Sequence, residues 1–121
     1  MATLHPFRAV RPRPDHLEEI ASVPYDVISN DEARTLAEGK PRSFLHVARP
    51  EIDLSPEVDV HDDAVYAKGA ENLRAFVEAD YTVQEEEPSV YVYRLVMDGR
   101  EQTGIFGGVS VGEYDDGTIV K

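Results

Sequence analysis

The segment "SVYVYRLVMDGREQTGIFGGVSV", Ser89 to Val111, limits the possible folds of this chain more than any other. Val90 to Met97 is rich in β-branched and aromatic residues, and Asp98-Gly99 suits the two positive-φ positions of a type I′ hairpin loop. Arg100 to Val111 is therefore expected to fold back on the first strand. Both faces of that strand are apolar, with Val90, Val92 and Val96 on one side and Tyr91, Tyr93 and Leu95 on the other. A strand of this kind wants cover on two sides, which predicts a central position. Gly104, Gly107 and Gly108 in the return strand point to a bulge or to the close approach of another backbone or a ligand.

Upstream, the helix signals are local. Leu4 to Val10 reads as a short edge strand, and Pro14 suits the first position of a short helix over Asp15 to Ala21 that turns Leu17, Ile20 and Ala21 inward. Ser29 and Glu32 have the spacing of a capping box, which predicts a helix from Asn30 to Glu38 with Ala33, Leu36 and Ala37 inward; Gly39 and Pro41 stop it. "SFLHVA" is short, apolar and bounded by Pro41 and Pro50, the pattern of a buried strand. "RPEIDLSPEVDVHDD" has no clean period and reads as an acidic loop. From Asp63 the period becomes 3.6, with Tyr66, Ala70, Leu73, Phe76 and Val77 on one face through Glu78 and Asp62 as cap. A turn at "EYDDGT" leads to a β-prone "TIVK" that looks like a strand cut short.

These elements predict an α+β fold: a mainly antiparallel sheet with a central hairpin, the 63–78 helix packed on one face, and two shorter helices elsewhere. A length of 121 residues fits a single domain over 1–121, expected to be the N-terminal fragment of a longer protein. The 24 acidic and 12 basic side chains give a formal charge of -12, so nucleic acid and anionic membranes are poor direct partners. With no cysteine, thiolate catalysis, thiolate zinc sites and disulfides are excluded. The first twenty residues hold three prolines and three arginines without an apolar run. That pattern is neither a signal peptide nor a membrane span, and cytoplasm is the expected compartment.

Residue types narrow the chemistry further. His5, His16, His46 and His61 share no metal-ligand spacing, and no metal is expected. His46, between Leu45 and Val47, is the one expected to be partly buried, either as a hydrogen-bonded structural imidazole or as a functional group. No dinucleotide glycine motif, Walker lysine or nucleophile elbow occurs. Tyr25-Asp26, between Pro24 and the helix cap, is either a corner closed by an Asx-turn or part of a site. Arg49 and Glu51 follow "SFLHVA" directly, where Arg49 could pair with Asp26 or Glu51 as a clamp or face a ligand.

"HPFRAVRP", "VPYDVIS", "RSFLHVARPEID", "VYAKGAENL" and the hairpin segment occur in one order along almost the whole chain. In this the sequence resembles the N-terminal part of the bacterial and archaeal family called domain of unknown function 1015. Members of that family are longer, and farther on they carry an Asp-Gly-His-His-Arg motif like that of ParB-related nucleotide-using proteins, including a free-serine kinase. The present sequence contains no such motif. The resemblance implies nucleotide binding or nucleotide-dependent phosphoryl transfer, with a nucleotide and Mg as the cofactors of the full-length protein. Its matched positions are Tyr25, Asp26, His46, Arg49, Glu51 and Gln102. Asp26 or Glu51 would orient a hydroxyl or a hydrated metal ion, Arg49 would hold a phosphate or carboxylate, and Tyr25, His46 and Gln102 would line the substrate. The alternative is a non-catalytic, acidic protein-binding or regulatory module with an apolar patch rimmed by acids.

Overall fold

Asp98 and Gly99 take φ of 51° and 72°, which gives the expected two-residue loop with Met97 opposite Arg100. The computed structural model describes residues 1–120. Its chain divides into two compact units, one made of Met1–Val10 with the chain from Gln84 onward, the other of Arg11–Val83. The described strands are β1 (Leu4–His5), β2 (Val10–Pro12), β3 (Thr82–Gln84), β4 (Tyr91–Met97), β5 (Arg100–Phe106) and β6 (Gly108–Val109). The described α-helices are α1 (Leu17–Ile20), α2 (Asn30–Ala37), α3 (Leu45–Ala48), α4 (Asp63–Glu78) and α5 (Val111–Asp115). The fold class is α+β. β2 pairs with β3, and the chain passes between the units within these two strands.

In the first unit, β4 and β5 form an antiparallel ribbon from Tyr91↔Phe106 to Met97↔Arg100. The tyrosine hydroxyl of Tyr91 secures its open end by donating to Phe7 O at 2.9 Å and accepting from Ala9 N at 3.0 Å. The Phe7 ring meets Tyr91 edge-on, with centroids 5.2 Å apart. Gly107 and Gly108 mark the close approach read from the sequence, the approaching strand being β1: a Cβ on Gly107 would lie 2.7 Å from Leu4 Cδ1 and 3.3 Å from His5 O.

The central position expected for β4 is not found. Among the described residues the strand pairs with β5 alone, and Val92, Met97 and Ile105 are 77%, 68% and 71% exposed. Two apolar faces state a demand for cover; they do not supply it. Beyond β6, the first half of "EYDDGT" belongs to α5, which Ser110 caps by accepting from Glu113 N at 3.4 Å, and the expected turn follows at Asp116-Gly117, with Gly117 at φ of 79°. Thr118 to Val120 are not a strand, and Lys121 lies outside the described residues.

The second unit is helical. A 3₁₀ turn over Pro14–His16 leads into α1, whose Ile20 is buried while Leu17 is half-exposed. The capping box forms as expected: Ser29 N donates to Glu32 Oε2 at 2.8 Å, and Glu32 N donates to Ser29 Oγ at 3.3 Å. The Glu32 carboxylate, accepting first from Ser29 N and then from the Ser29 hydroxyl at 2.8 Å, is held below the usual carboxylate range. Ala33, Ala37, Leu45 and Ile52 make the core, with Ile28 against it.

"SFLHVA" is a helical turn, not a strand. Ala48 N and Arg49 N donate to Phe44 O and Leu45 O at 2.9 and 2.8 Å. Ser43 and Leu45 are buried with Phe44 exposed between them, an alternation a strand would also show, so it is these backbone bonds that make the segment helical. A 3₁₀ turn, Pro50–Asp53, follows and inserts Ile52 into the core, so the acidic loop begins with an ordered corner.

α4 has the expected bounds and cap, Asp62 accepting from Ala64 N at 2.8 Å. Phe76 is buried as expected, but the rest of the inward stripe is offset by one residue. Val65, Gly69, Asn72 and Phe76 face inward, while Tyr66, Leu73 and Val77 are exposed. The reason is Gly69, where a Cβ would stand 3.1 Å from Pro50 Cγ, so the backbone of α4 lies directly on the 3₁₀ turn. Within this unit the cover of α4 is α3 and that turn.

Gly69→Leu is expected to cost about 2 kcal/mol in urea unfolding by overpacking this contact, with Gly69→Ala closer to wild type, since alanine's helix propensity offsets a slight shift of Pro50. In the first unit, Glu113 accepts from Thr3 N and Thr3 Oγ1 at 2.9 Å each, and the backbone bond chiefly lowers its pKa. The stability this lends is present above the usual carboxylate range and lost as pH falls through the lowered value. The urea midpoints of wild type and Glu113→Gln should therefore converge on acidification.

Candidate active site

The site is built on the corner that Gly69 admits. Arg34, on α2, donates to three carbonyls of one segment: Ile52 O at 2.8 Å, Glu51 O at 3.0 Å and Leu54 O at 3.2 Å. This fork holds the 3₁₀ turn against α2 and fixes where Asp53 stands. Asp53 Oδ1 lies 2.8 Å from His46 Nδ1 on α3, with both side chains about three-quarters buried. The other edge of the ring, Nε2, lies 3.2 Å from Lys40 O. Asn72, on α4, donates to Asp53 Oδ2 at 2.8 Å and to His46 O at 2.6 Å.

Two hollows meet at this group. One, of about 480 Å³, is lined by Arg34, Thr35, Glu38, Gly39, His46 and Asp53, among others. The second, of about 340 Å³, lies toward α4 and includes His46, Asp53, Asn72, Phe76 and Tyr81 in its lining. A histidine backed by a carboxylate and open to solvent-filled space is the arrangement of a general acid–base group. Among the described residues no three His, Asp or Glu side chains converge as a metal-holding group.

The residues singled out from the sequence divide into three sets. His46 is at the centre of this site, partly buried as its neighbours implied. Arg49, Glu51 and Tyr25 come together beside it as a clamp. Arg49 Nε lies 3.0 Å from Glu51 Oε1, the two side chains being 18% and 12% exposed; the N–H does not point at the oxygen, so this contact is charge attraction without a hydrogen bond. The remaining guanidinium nitrogens donate to Tyr25 O at 2.9 Å and to Asn30 Oδ1. Tyr25 and Asp26 thus form a 3₁₀ corner, Tyr25–Val27, pinned by Arg49 through its backbone, with the Asp26 side chain exposed. Gln102 belongs to the other unit, on β5 opposite Leu95, in a surface hollow with Met97 and Arg100.

Asp53, Asn72 and Arg34 were not singled out from the sequence. Asp53 is hidden among the acids of the 51–63 segment. Asn72 carried a signal: a polar residue seven positions after Val65 falls on α4's buried stripe once Val65 and Phe76 are chosen to define it.

Removing Arg49 alone leaves the Glu51 carboxylate buried without its cation. Arg49→Met should cost about 3 kcal/mol in chemical unfolding, and adding Glu51→Leu should recover most of it.

The comparisons with known proteins bear on the whole chain. No curated protein and no solved structure matches it. The family model described as "Protein of unknown function (DUF1015)" matches residues 4–121. Spanning nearly every residue on which both units are built, that match makes the chain a member of the DUF1015 family, as its ordered motifs implied.

Proposed function

We propose that the Arg11–Val83 unit binds a small polar molecule against His46 and that this histidine acts as acid–base group in nucleotide-linked phosphoryl transfer. The observation that carries this reading is the His46–Asp53 pair at 2.8 Å, set where two hollows meet. Phosphoryl transfer to a hydroxyl needs a base that takes the hydroxyl proton and holds it. Asp53 Oδ1 and Lys40 O stand at the two nitrogens of the ring, at 2.8 and 3.2 Å. The nucleotide and its Mg belong to the reading through the family resemblance, in which this chain serves as the N-terminal portion of a phosphotransferase-like protein. Asp26, exposed beside the clamp, is available to a hydroxyl or hydrated cation, whereas Arg49 and Glu51 hold the corner in place.

The ligand is a small molecule or nucleotide and not nucleic acid, in keeping with the formal charge of -12. No described helix is long and apolar enough to cross a membrane, and the proposed compartment is the cytoplasm. A second reading, a non-catalytic protein-binding module, draws on the exposed Val92, Met97 and Ile105 of the ribbon.

Thermal melts with Mg and a panel of nucleotides and small hydroxyl compounds separate the two. A ligand at about 100 times its Kd adds roughly 2.7 kcal/mol, a shift of several degrees for a chain of this size. The shift is expected in wild type and lost in His46→Ala. A panel that moves neither protein would overturn the acid–base reading and leave the binding module.

A further inference from the structure

Asn72 stands behind the proposed base, in the lining of the smaller hollow, and its bonds decide what the histidine can do. We infer that Asn72 is a positioning residue that fixes His46 in the tautomer with its proton on Nδ1, leaving Nε2 as the proton-accepting atom. The inference rests on the acid–base reading for its purpose, but its geometry and its test stand apart from any ligand.

Both neighbours of the Asn72 side-chain nitrogen are acceptors, the carbonyl of His46 at 2.6 Å and Asp53 Oδ2 at 2.8 Å. Only an NH₂ group satisfies both, which settles which way the amide faces. One hydrogen goes to each, so a single side chain on α4 ties the backbone of the histidine to the carboxylate that contacts its ring. With Oδ2 occupied, Asp53 turns Oδ1 toward Nδ1 at 2.8 Å. An ionised carboxylate only accepts, so Nδ1 must carry the hydrogen.

A neutral ring has one N–H, and Nε2 is then a lone pair. That lone pair lies 3.2 Å from Lys40 O, which is also an acceptor. The neutral ring therefore has an unsatisfied edge at Nε2, and a proton arriving there finds an acceptor already in place. A substrate hydroxyl would reach Nε2 by displacing Lys40 O, which follows Gly39, a residue at φ of +69° where α2 ends. The charged groups around the ring are Asp53 on the 3₁₀ turn and Arg34 and Glu38 on the α2 side of the larger hollow; from α4 the group that faces it is the uncharged Asn72, and Tyr81 lines the smaller hollow.

The test is two-bond ¹H–¹⁵N NMR of the His46 ring in the protein without added ligand, followed across the range of about pH 5 to 8 in which histidine changes charge. Wild type is expected to show the Nδ1–H form once neutral. Asn72→Ala is expected to give a mixture of both tautomers, and Asp53→Asn a shift toward Nε2–H, with circular dichroism confirming that each variant is folded. Wild type found as Nε2–H would overturn the assignment even if a variant failed to fold. A folded Asn72→Ala that kept a pure Nδ1–H ring would show that Asp53 needs no help, and would remove Asn72 from the role. Neither outcome depends on nucleotide binding, so a failure here is distinguishable from failure of the phosphoryl-transfer reading.

Discussion

Three carbonyl oxygens of one segment converge on a single guanidinium, and much of the Arg11–Val83 unit follows from that. Backbone carbonyls near a protein's interior need donors, and those of Glu51, Ile52 and Leu54 find theirs in Arg34. The corner this creates does two jobs. It sets Ile52 into the core beside Ala33, Ala37 and Leu45, and it leaves Asp53 facing the ring of His46. Packing and chemistry share one short turn, so a change in either is felt by the other.

The two arginines nearest the site show how an acidic chain uses its few cations. Arg34 is spent on uncharged carbonyls and Arg49 on a mostly buried carboxylate, a backbone oxygen and an amide. Each draws together elements distant in sequence, α2 with the 3₁₀ turn in one case and the Tyr25 corner with the end of α3 in the other. Delocalised charge in a planar fork suits this work, because one side chain meets acceptors in several directions at once. The nearby Arg42 is engaged too: its guanidinium lies 4.7 Å from the centroid of the Tyr81 ring and pairs with Glu19, and its pKa is raised by side-chain hydrogen bonding, to Tyr81 first and then to Glu19.

What the sequence made legible was what neighbours in sequence decide. The Asp98-Gly99 loop, the Ser29–Glu32 box, the bounds and cap of α4 and the close approach at Gly107 each depend on a few adjacent residues. Hidden from it were features set at a distance. "SFLHVA" has the composition of a strand, yet its large buried side chain, Leu45, belongs to the core of α2 and the 3₁₀ turn, and its backbone bonds are those of a helical turn. The stripe of α4 turned on Gly69 meeting Pro50, nineteen positions earlier. His46 was visible as a partly buried histidine; its partners were not, since one sat in an acidic run and the other on a helix face read one residue out of phase. Ser110 and Glu113 repeat the spacing of the first capping box and could have revealed α5.

The ribbon of β4 and β5 is tied down at one end only. Tyr91 and Phe106 lie beside Phe7, whereas Met97 and Arg100 border the loop and are exposed. Amide protection along the ladder should therefore fall off with distance from the aromatic end, like a zipper with one fixed stop. Such a ribbon opens by fraying from its loop in small steps and not by all-or-none loss, and the first pair released is Met97 with Arg100, then Val96 with Glu101. The larger apolar side chains nearest Phe7 leave the ladder last, which keeps the stickiest part of the strand pair engaged through most of its fluctuations.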